Sequence, residues 1–213
     1  KSSIGNYDMK IGVIKFPSIS NFSDITPLEN EESINIEWID KKQSLRKYDL
    51  IILPGSKQSL KDKKFLQESG ILKDILEYSY LKSNIFGICG GLQILGEILE
   101  DPYLKEGGTT VNQSSIKGLA LLPIKTRFEL QKTTRKIISE AIWPCLTKVE
   151  GFEIHNGKSE LNSNNSYSKA KPLFKEEDLG WFIDKGPEGS IAGTYLHGIF
   201  ENDIWRDNYI NLI

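Results

Sequence analysis

The sequence predicts an α/β domain with a central, mostly parallel β-sheet, helices on both faces of that sheet and a strand-rich second half. In the first half of the chain, short apolar runs alternate with longer segments of helical periodicity, a pattern typical of parallel βαβ units. The run Leu50–Leu53 is apolar at every position, as in a strand covered on both faces. With 213 residues, 38% of them hydrophobic and 26% charged, the chain suits a single globular domain over residues 1–213.

The first half is predicted to form the core of the sheet. Apolar and polar residues alternate at 34–39, which suits an edge strand, whereas the strand at 85–88 is uniformly apolar and therefore buried. Gly70 is expected to divide a long helical pattern into two helices. In chain order, the expected elements are strands at 10–16, 34–39, 50–53 and 85–88, with helices over 60–81 and 91–99.

The second half is predicted to contain more strands and one closing helix. Turn-forming residues at 185–189 indicate a hairpin between the last two strands, and Asn202 or Asp203 is expected to cap the helix. The polar stretch at 162–166 suggests a mobile surface loop. The expected elements are strands at 118–122, 148–155, 180–184 and 191–196, followed by a helix over 203–213.

The segment from Phe86 to Gln93, Phe-Gly-Ile-Cys-Gly-Gly-Leu-Gln, has the features of a nucleophile elbow. It places Cys89 where a buried strand turns into a helix, at the carboxyl edge of the sheet, and the helix dipole there favours the thiolate. The N–H of Gly90 is then available to stabilise an oxyanion. The alternative is that Cys89 is a small buried hydrophobe beside a tight turn. Cys145 has no such setting, and we expect it to be structural.

A thiol nucleophile needs a general base, and the chain contains two histidines, His155 and His197. Either side chain is compatible with a purely structural hydrogen-bonding role. His197 is the better candidate for the base, because it follows an apolar strand that would carry it to the edge of the sheet where the elbow lies. His155 is expected on the substrate side or in contact with the residues around the reacting groups.

Composition excludes several other classes of protein. A net charge of -2 argues against general binding of nucleic acid, and no apolar run is long enough to cross a membrane. Two cysteines in different contexts do not form a disulfide framework, and no signal peptide is evident, so we expect a cytoplasmic protein. No metal site is expected. The string Gly157-Lys158-Ser159 lacks the first glycine of a phosphate loop, so ATP should not bind this chain.

The motif Gly87-Ile88-Cys89-Gly90-Gly91-Leu92-Gln93 resembles the nucleophile motif of the class I glutamine amidotransferases, which have a flavodoxin-like fold. Further strings occur in the expected order over nearly the whole chain, and they narrow the resemblance to the cobyric acid synthase family. These strings run from Phe16 to Asp24, from Leu53 to Lys57, from Gly151 to His155 and from Gly193 to Phe200.

The resemblance implies a role for each candidate residue. Most class I amidotransferases carry a glutamate two residues after the catalytic histidine, but Ile199 occupies that position here. The third acid is therefore open, with Glu201, Glu153 or an acid from another domain as candidates, and low activity is expected of the isolated domain. The implied roles are nucleophile for Cys89, base for His197, oxyanion donors for Gly55 and Gly90, and glutamine binding for Gln93, Ser56 and His155.

The resemblance also implies partners. Family members use ammonia released from glutamine to amidate carboxylates of a corrin ring, in a reaction driven by an N-terminal, ATP-dependent synthetase domain. That domain is absent from this chain, so the corrin substrate, ATP and Mg²⁺ would bind elsewhere. Other readings are a glutaminase serving another acceptor, such as cobyrinic acid a,c-diamide synthase or the amidotransferase of peptidoglycan precursors, and a non-catalytic binding domain of the same fold.

Overall fold

The computed structural model describes residues 9–82, 84–106, 114–162 and 169–213, and it contains two β-sheets. The strands are β1 (Met9–Ile14), β2 (Ile34–Ile39), β3 (Leu50–Leu53), β4 (Ile85–Ile88), β5 (Ile98–Glu100), β6 (Ser115–Lys117), β7 (Ile124–Ala141), β8 (Thr147–Leu161), β9 (Lys171–Pro172), β10 (Gly180–Asp184), β11 (Ser190–Thr194) and β12 (Leu196–His197). The helices are α1 (Thr26–Glu29), α2 (Ser59–Glu68), α3 (Ile71–Leu81), α4 (Gly90–Leu95) and α5 (Asp203–Leu212), and short 3-10 turns lie at Phe22–Asp24, Gly186–Glu188 and Ile199–Glu201.

The larger sheet has the strand order β2-β1-β3-β4-β11-β10-β9. Strands β2, β1, β3, β4 and β11 are parallel, whereas β10 and β9 run antiparallel at one end. If the five parallel strands are numbered in chain order, with β11 as the fifth, their order in the sheet is 2-1-3-4-5. This is the order of flavodoxin-like sheets, whose sites lie at the carboxyl ends of the strands. The predicted fold class is therefore confirmed.

Helices cover both faces of the larger sheet. The connection from β1 to β2 runs towards one edge and carries α1, whereas the connection from β3 to β4 runs the other way and carries α2 and α3. Right-handed crossovers in opposite directions put their helices on opposite faces. The contacts agree, since α2 contacts α3 and α4, while α1 and α5 both contact the turn at Ile199–Glu201. No helix among the described residues is long and apolar enough to cross a membrane.

The second sheet, in the order β12-β8-β7-β5-β6, packs beside the elbow. Its centre is the long hairpin of β7 and β8, whose register shifts between Phe128 and Thr133. Tyr195 alone separates β11, in the larger sheet, from β12, in the second sheet. The chain thus passes directly from one sheet to the other at the edge where Cys89 lies.

Two sequence predictions were wrong, both around α4. The helix expected over 91–99 ends at Leu95, because Gly96 is extended and residues 98–100 pair as β5 with β6 and β7. The strand expected at 118–122 is instead a segment whose backbone N–H groups bond the last carbonyls of α4, for example Leu119 N–H to Ile94 O at 2.8 Å. Helix ends need such partners, and this need outweighed the apolar pattern.

The remaining predicted elements are confirmed with shifted ends. Gly70 divides α2 from α3 with a φ of 80°, and the hairpin at 185–189 joins β10 to β11. Asn202 precedes α5, although its side chain bonds backbone carbonyls and makes no side-chain cap. The predicted strand at 148–155 is part of the longer β8. Of the polar stretch at 162–166, residues 163–166 lie outside the described part of the chain.

A close approach of strand and helix fixes the elbow. A Cβ atom on Gly91 would lie 1.9 Å from the carbonyl oxygen of Leu53, which is shorter than any non-bonded contact. α4 therefore packs directly on the backbone of β3, and this is possible because residue 91 has no side chain. The buried core around it includes residues of both sheets, among them Phe86 of β4 and Ile124 of β7.

We expect Gly91→Ala to destabilise the protein by at least ~3 kcal/mol, because the methyl group forces α4 away from β3. The measurement is the free energy of unfolding in urea. Gly186→Ala is the control, because a Cβ on Gly186 would have nothing within 4 Å; only its positive φ of 60° is unfavourable for alanine, and the change should cost about 1 kcal/mol. Equal losses in the two variants would contradict the role given to the close approach.

Candidate active site

Cys89 lies at the turn between β4 and α4 with a strained backbone. Its φ of 49° and ψ of -105° are unusual for a residue with a side chain, and such strain costs on the order of 1–3 kcal/mol. The Cys89 N–H donates to Thr194 O at 2.7 Å, and this bond ties the turn to the end of β11. The thiol is 5% exposed and lies 3.4 Å from Ile154 O of the second sheet.

His197 is the histidine that lies against Cys89. Both residues line the same cavity, the two side chains are close enough to affect the pKa of His197, and His197 is 5% exposed. The other nitrogen of the ring, Nδ1, lies 2.7 Å from Oδ2 of Asp24, which leaves Nε2 for the thiol. The thiol follows a strand of the larger sheet and the imidazole belongs to the second sheet, so the two groups meet where the sheets adjoin.

Asp24 is the carboxylate that orients His197. Its Oδ1 accepts the backbone N–H of Gly198 at 2.8 Å while its Oδ2 contacts the imidazole, so both oxygens hold the segment around His197. Asp24 is 3% exposed and belongs to the turn that follows β1. The Asn21 side-chain amide lies 3.0 Å from the same Nδ1 and also lines the site.

The surroundings of His197 favour its charged form. Burial alone would lower the pKa of His197, but hydrogen bonds to Asp24 and Cys89, together with the charges of both groups, raise the pKa to about 10. The imidazole therefore holds a proton at neutral pH. α4 has only six residues, so its dipole is weaker than the sequence suggested.

A cavity of about 310 Å³ opens beside Cys89, at the lower end of the range of small-molecule sites. Most of its wall is polar. Glu106 is 7% exposed, and it accepts hydrogen bonds from Ser59 N–H and from the Asn156 side chain. The lining residues are Ser20, Asn21, Ser56, Lys57, Ser59, Cys89, Gln93, Glu106, Phe128, Lys132, Ile154, His155, Asn156 and His197.

Gln93, predicted to bind glutamine, lines the cavity with its amide held at both ends. Ser59 Oγ donates to its Oε1 at 2.6 Å, and its Nε2 donates to the Tyr195 hydroxyl at 3.3 Å. These two bonds hold the amide group at both of its ends. One N–H and one lone pair of the amide remain for a ligand.

The Gly55–Ser56 loop contributes differently from the prediction. Ile19 and Ser56 pair as an isolated antiparallel bridge, and its hydrogen bonds use the N–H groups of Ser20 and Lys57. The N–H of Ser56 therefore points away from the segment that contains Ile19. A Cβ on Gly90 would lie 2.8 Å from Ser56 N, whereas a Cβ on Gly55 would lie 3.2 Å from the His197 ring. Ser56, rather than Gly55, is therefore the neighbour of Gly90.

Two side chains predicted to contact glutamine are committed to other partners. The Ser56 hydroxyl donates to Asp62 and accepts the N–H of Gln58. His155 lines the cavity, but its Nε2 lies 2.7 Å from Glu153 Oε1 and its Nδ1 faces Gly157 O. His155 has no ring nitrogen left for Cys89, and this geometry favours His197 as the partner of the thiol.

Comparison with known proteins identifies the family. The family of CobB/CobQ-like glutamine amidotransferase domains matches residues 10–205, which is most of the chain. The chain belongs to this family. Among solved structures, a glutamine amidotransferase is similar at 15% identity and a TM-score of 0.66, over 95% of this chain and 97% of that chain. The PurLQS structure from Thermotoga maritima contains a chain that is similar at 15% identity and a TM-score of 0.67, over 96% of this chain and 98% of that chain. At such identities these structures support the amidotransferase fold alone.

Curated proteins named cobyric acid synthase are similar over the whole amidotransferase domain. That of Prochlorococcus marinus strain MIT 9312 is 59% identical over 213 residues, which is 100% of this chain and 42% of that protein. That of strain NATL2A is 46% identical over 206 residues, 97% of this chain and 41% of that protein. The domain spans less than half of these relatives and corresponds to their C-terminal part. The resemblance predicted from the sequence is confirmed.

The carboxylate beside His197 corrects the sequence prediction for this amidotransferase domain. Glu153 bonds His155 and Arg135, and Glu201 is exposed on a surface groove with Arg206, so neither occupies the position of Asp24. Asp24 was overlooked because it is 173 residues from His197. One feature of the sequence could have indicated Asp24: it follows the first strand, and the loop after that strand lies at the carboxyl edge of the sheet, where the site forms. Low glutaminase activity was expected of the isolated domain because no orienting acid was evident. Asp24 removes that argument, since it lies beside His197 within the same chain.

We expect Asp24→Asn to lower the pKa of His197 from about 10 towards or below 6.5, because burial then opposes the charge with less compensation. Asn keeps an acceptor for Gly198 N–H, which makes it a conservative change. NMR of ¹⁵N-labelled histidine measures the titration directly, and His197→Gln assigns the signals of a chain with two histidines. An unchanged titration of His197 would contradict the role of Asp24.

The same shift gives a pH dependence of stability. Because the folded-state pKa of His197 lies above its unfolded value of 6.5, its stabilisation is complete below pH 6.5 and is lost as the pH rises through about 10. The loss of unfolding free energy in Asp24→Asn should therefore be largest near pH 6 and smaller near pH 9. Urea unfolding at both pH values checks this, and a loss that grows with pH would be the opposite result.

Proposed function

We propose that this domain hydrolyses glutamine at Cys89 and supplies ammonia for the amidation of corrin carboxylates, as the glutaminase half of a cobyric acid synthase. One observation supports this chemistry. The thiol of Cys89, at a strained turn, lies beside the cationic imidazole of His197, which in turn contacts the buried carboxylate of Asp24, next to a small polar cavity. Family membership and 59% identity to curated relatives named cobyric acid synthase support a corrin carboxylate as the acceptor of the ammonia.

In the first half-reaction, the sulfur of Cys89 attacks the side-chain carbonyl carbon of glutamine, and a C–S bond forms. The C–N bond then breaks, and His197 donates its Nε2 proton, so that the nitrogen leaves as ammonia. The raised pKa of His197 supports this order of events, because the ring already carries the proton that the leaving group needs. Asp24 stabilises the imidazolium and holds its orientation.

In the second half-reaction, His197 is neutral and takes a proton from a water molecule whose oxygen attacks the thioester. The C–S bond breaks, glutamate leaves with its new carboxyl group, and Cys89 and His197 return to their charged forms. The substrate oxygen becomes negative in both half-reactions. We assign its stabilisation to the N–H groups of Gly90 and Ser56, which are neighbours at the turn, in place of Gly90 and Gly55.

The cavity has groups that complement both charged ends of free glutamine. Buried Glu106 suits the α-ammonium group, and Lys57 and Lys132 at the wall suit the α-carboxylate. Gln93 then faces the rest of the substrate with a fixed amide. Opposite charges at separate places on the wall favour free L-glutamine over a glutamine residue in a peptide, which lacks both charges.

The acceptor reaction would take place outside this domain. In a complete protein, a synthetase portion would bind ATP, Mg²⁺ and the corrin, and ammonia would pass to it from Cys89. The free thiols of Cys89 and Cys145 suit a reducing cytoplasm. An assay of corrin binding, with the synthetase portion present, separates this proposal from a glutaminase that serves a different acceptor.

We expect a diazoketone analogue of L-glutamine to label Cys89 and to leave Cys145 unmodified, because the cavity and the cation at His197 lie beside Cys89 alone of these two thiols. Mass spectrometry of peptides identifies the site. The D-enantiomer is the control, since it exchanges the places of the ammonium and carboxylate groups. Equal labelling of both cysteines, or equal rates with both enantiomers, would refute a glutamine site at Cys89.

We expect Cys89→Ala to abolish glutamine-dependent amidation by at least ~10³-fold and to leave ammonia-dependent amidation intact, since free ammonia bypasses the thioester. The assay needs the domain together with its synthetase portion. Cys145→Ala is the matched control and should retain both activities. Loss of both activities in Cys89→Ala would mean that Cys89 serves the structure and not the chemistry.

A further inference from the structure

We propose that Glu153 and His155 are positioning residues for glutamine, which fix the ring of Tyr195 and, through its hydroxyl, the amide of Gln93. The inference rests on the proposed function, because it assumes that glutamine binds beside Cys89. It gives a role to the Gly151–His155 string, which the chemistry at Cys89 does not use directly.

The first link is the hydrogen-bonded ring of His155. Its Nε2 lies 2.7 Å from Glu153 Oε1, and its Nδ1 faces the carbonyl oxygen of Gly157. Both partners are hydrogen-bond acceptors, and the ring lies between them. Because Glu153 and Gly157 both belong to β8, this strand fixes the plane of the His155 ring.

The second link is the buried charge of Glu153. Burial alone would raise the pKa of Glu153, but hydrogen bonds to His155 and Arg135 lower it, so the side chain is a carboxylate. Glu153 is 4% exposed, and its other oxygen accepts from Arg135, which is half-exposed. A buried charge of this kind costs free energy unless it is well paired, and its pairing here holds the orientation of His155.

The third link is a stack of two rings. The rings of His155 and Tyr195 lie 3.7 Å apart between centroids and 21° from parallel, and Tyr195 is 1% exposed. The Tyr195 hydroxyl lies 2.6 Å from Ser159 Oγ and accepts from Gln93 Nε2 at 3.3 Å. A shift of His155 therefore moves the ring whose hydroxyl holds one end of the Gln93 amide.

The position of the Gln93 amide matters because this group places a donor and an acceptor at the wall of the cavity. Ser59 Oγ holds one end of the amide, and the Tyr195 hydroxyl holds the other end. If the Tyr195 contact is lost, the amide is held at one end only and can move away from the position that the substrate needs. The expected effect is weaker binding of glutamine with little change in the reactivity of the Cys89 thiol.

The test uses the saturable labelling of Cys89 by the L-glutamine diazoketone, together with labelling by iodoacetamide, which is too small to need the glutamine site. Tyr195→Phe keeps the ring stack and removes the hydroxyl. His155→Phe keeps a flat ring against Tyr195 and removes both hydrogen bonds, and Glu153→Gln removes the charge. Tyr78→Phe is the matched control, since the Tyr78 hydroxyl is also buried but bonds backbone carbonyls of Tyr48 and Asp49.

We expect the half-saturating concentration of the diazoketone to rise about fivefold to tenfold in Tyr195→Phe, His155→Phe and Glu153→Gln, the scale of one lost hydrogen bond. The maximal labelling rate and the iodoacetamide rate should change less than about twofold, as should all values for Tyr78→Phe. In the double variant, His155→Phe should add little to Tyr195→Phe, because both act through the same contact.

Additive effects in the double variant would overturn the inference, because His155 would then act independently of Tyr195. Unchanged half-saturation in His155→Phe and Glu153→Gln, or an equal loss of iodoacetamide reactivity, would also overturn it. Thermal unfolding of each variant identifies a general loss of structure, and Glu153→Gln, the smallest change, decides the case if His155→Phe does not fold. Failure of the proposed function is distinguishable, since the wild-type chain would then show no saturable labelling.

Discussion

The site depends on the close approach of α4 to the backbone of β3. Contact between Gly91 and Leu53 O holds the start of the helix against the sheet, and the strand–helix connection must then turn within a single residue. Cys89 is that residue, and its positive φ is the cost of the turn. Its N–H bond to Thr194 O connects the strained turn to β11, the strand that continues towards His197. Packing at one glycine thus determines where the sulfur stands.

The charged groups are arranged around that sulfur by three separate parts of the chain. Cys89 comes from the elbow, His197 from the start of the second sheet, and Asp24 from the turn after β1. Asp24 binds both the imidazole and the N–H of Gly198, so it fixes the backbone and the side chain of the same segment. Burial of all three groups strengthens their mutual attraction, since little water is present to screen it.

The sequence predicted what local patterns encode. Uniformly apolar strands, a glycine between two helices, and the small residues around Cys89 each have a direct physical reading, and these elements are confirmed. The limits of α4 were not predictable from periodicity, because residues 98–100 pair with strands far along the chain and residues 118–122 bond its last carbonyls. Long-range pairing overrode the local pattern in both places.

The site was harder to predict than the fold for the same reason. Cys89 lies in a local motif, whereas Asp24 and Glu106 acquire their positions only when distant loops meet. Glu153, a candidate for the third acid, does not take the place of Asp24, because its side chain on β8 bonds Arg135 and His155. Burial of an acid beside a histidine is a property of the folded chain, and the sequence alone offers only candidates for it.

Tyr195 is the whole connection between β11 and β12, and this has a mechanical consequence. The thiol follows a strand of the larger sheet, whereas the imidazole belongs to the second sheet. A small displacement of one sheet relative to the other therefore changes the distance between sulfur and nitrogen without breaking the backbone hydrogen bonds within either sheet. Reaction rates fall steeply with such misplacement, by about a hundredfold for an ångström. Under the proposed function, turnover at Cys89 therefore depends on the alignment of the two sheets.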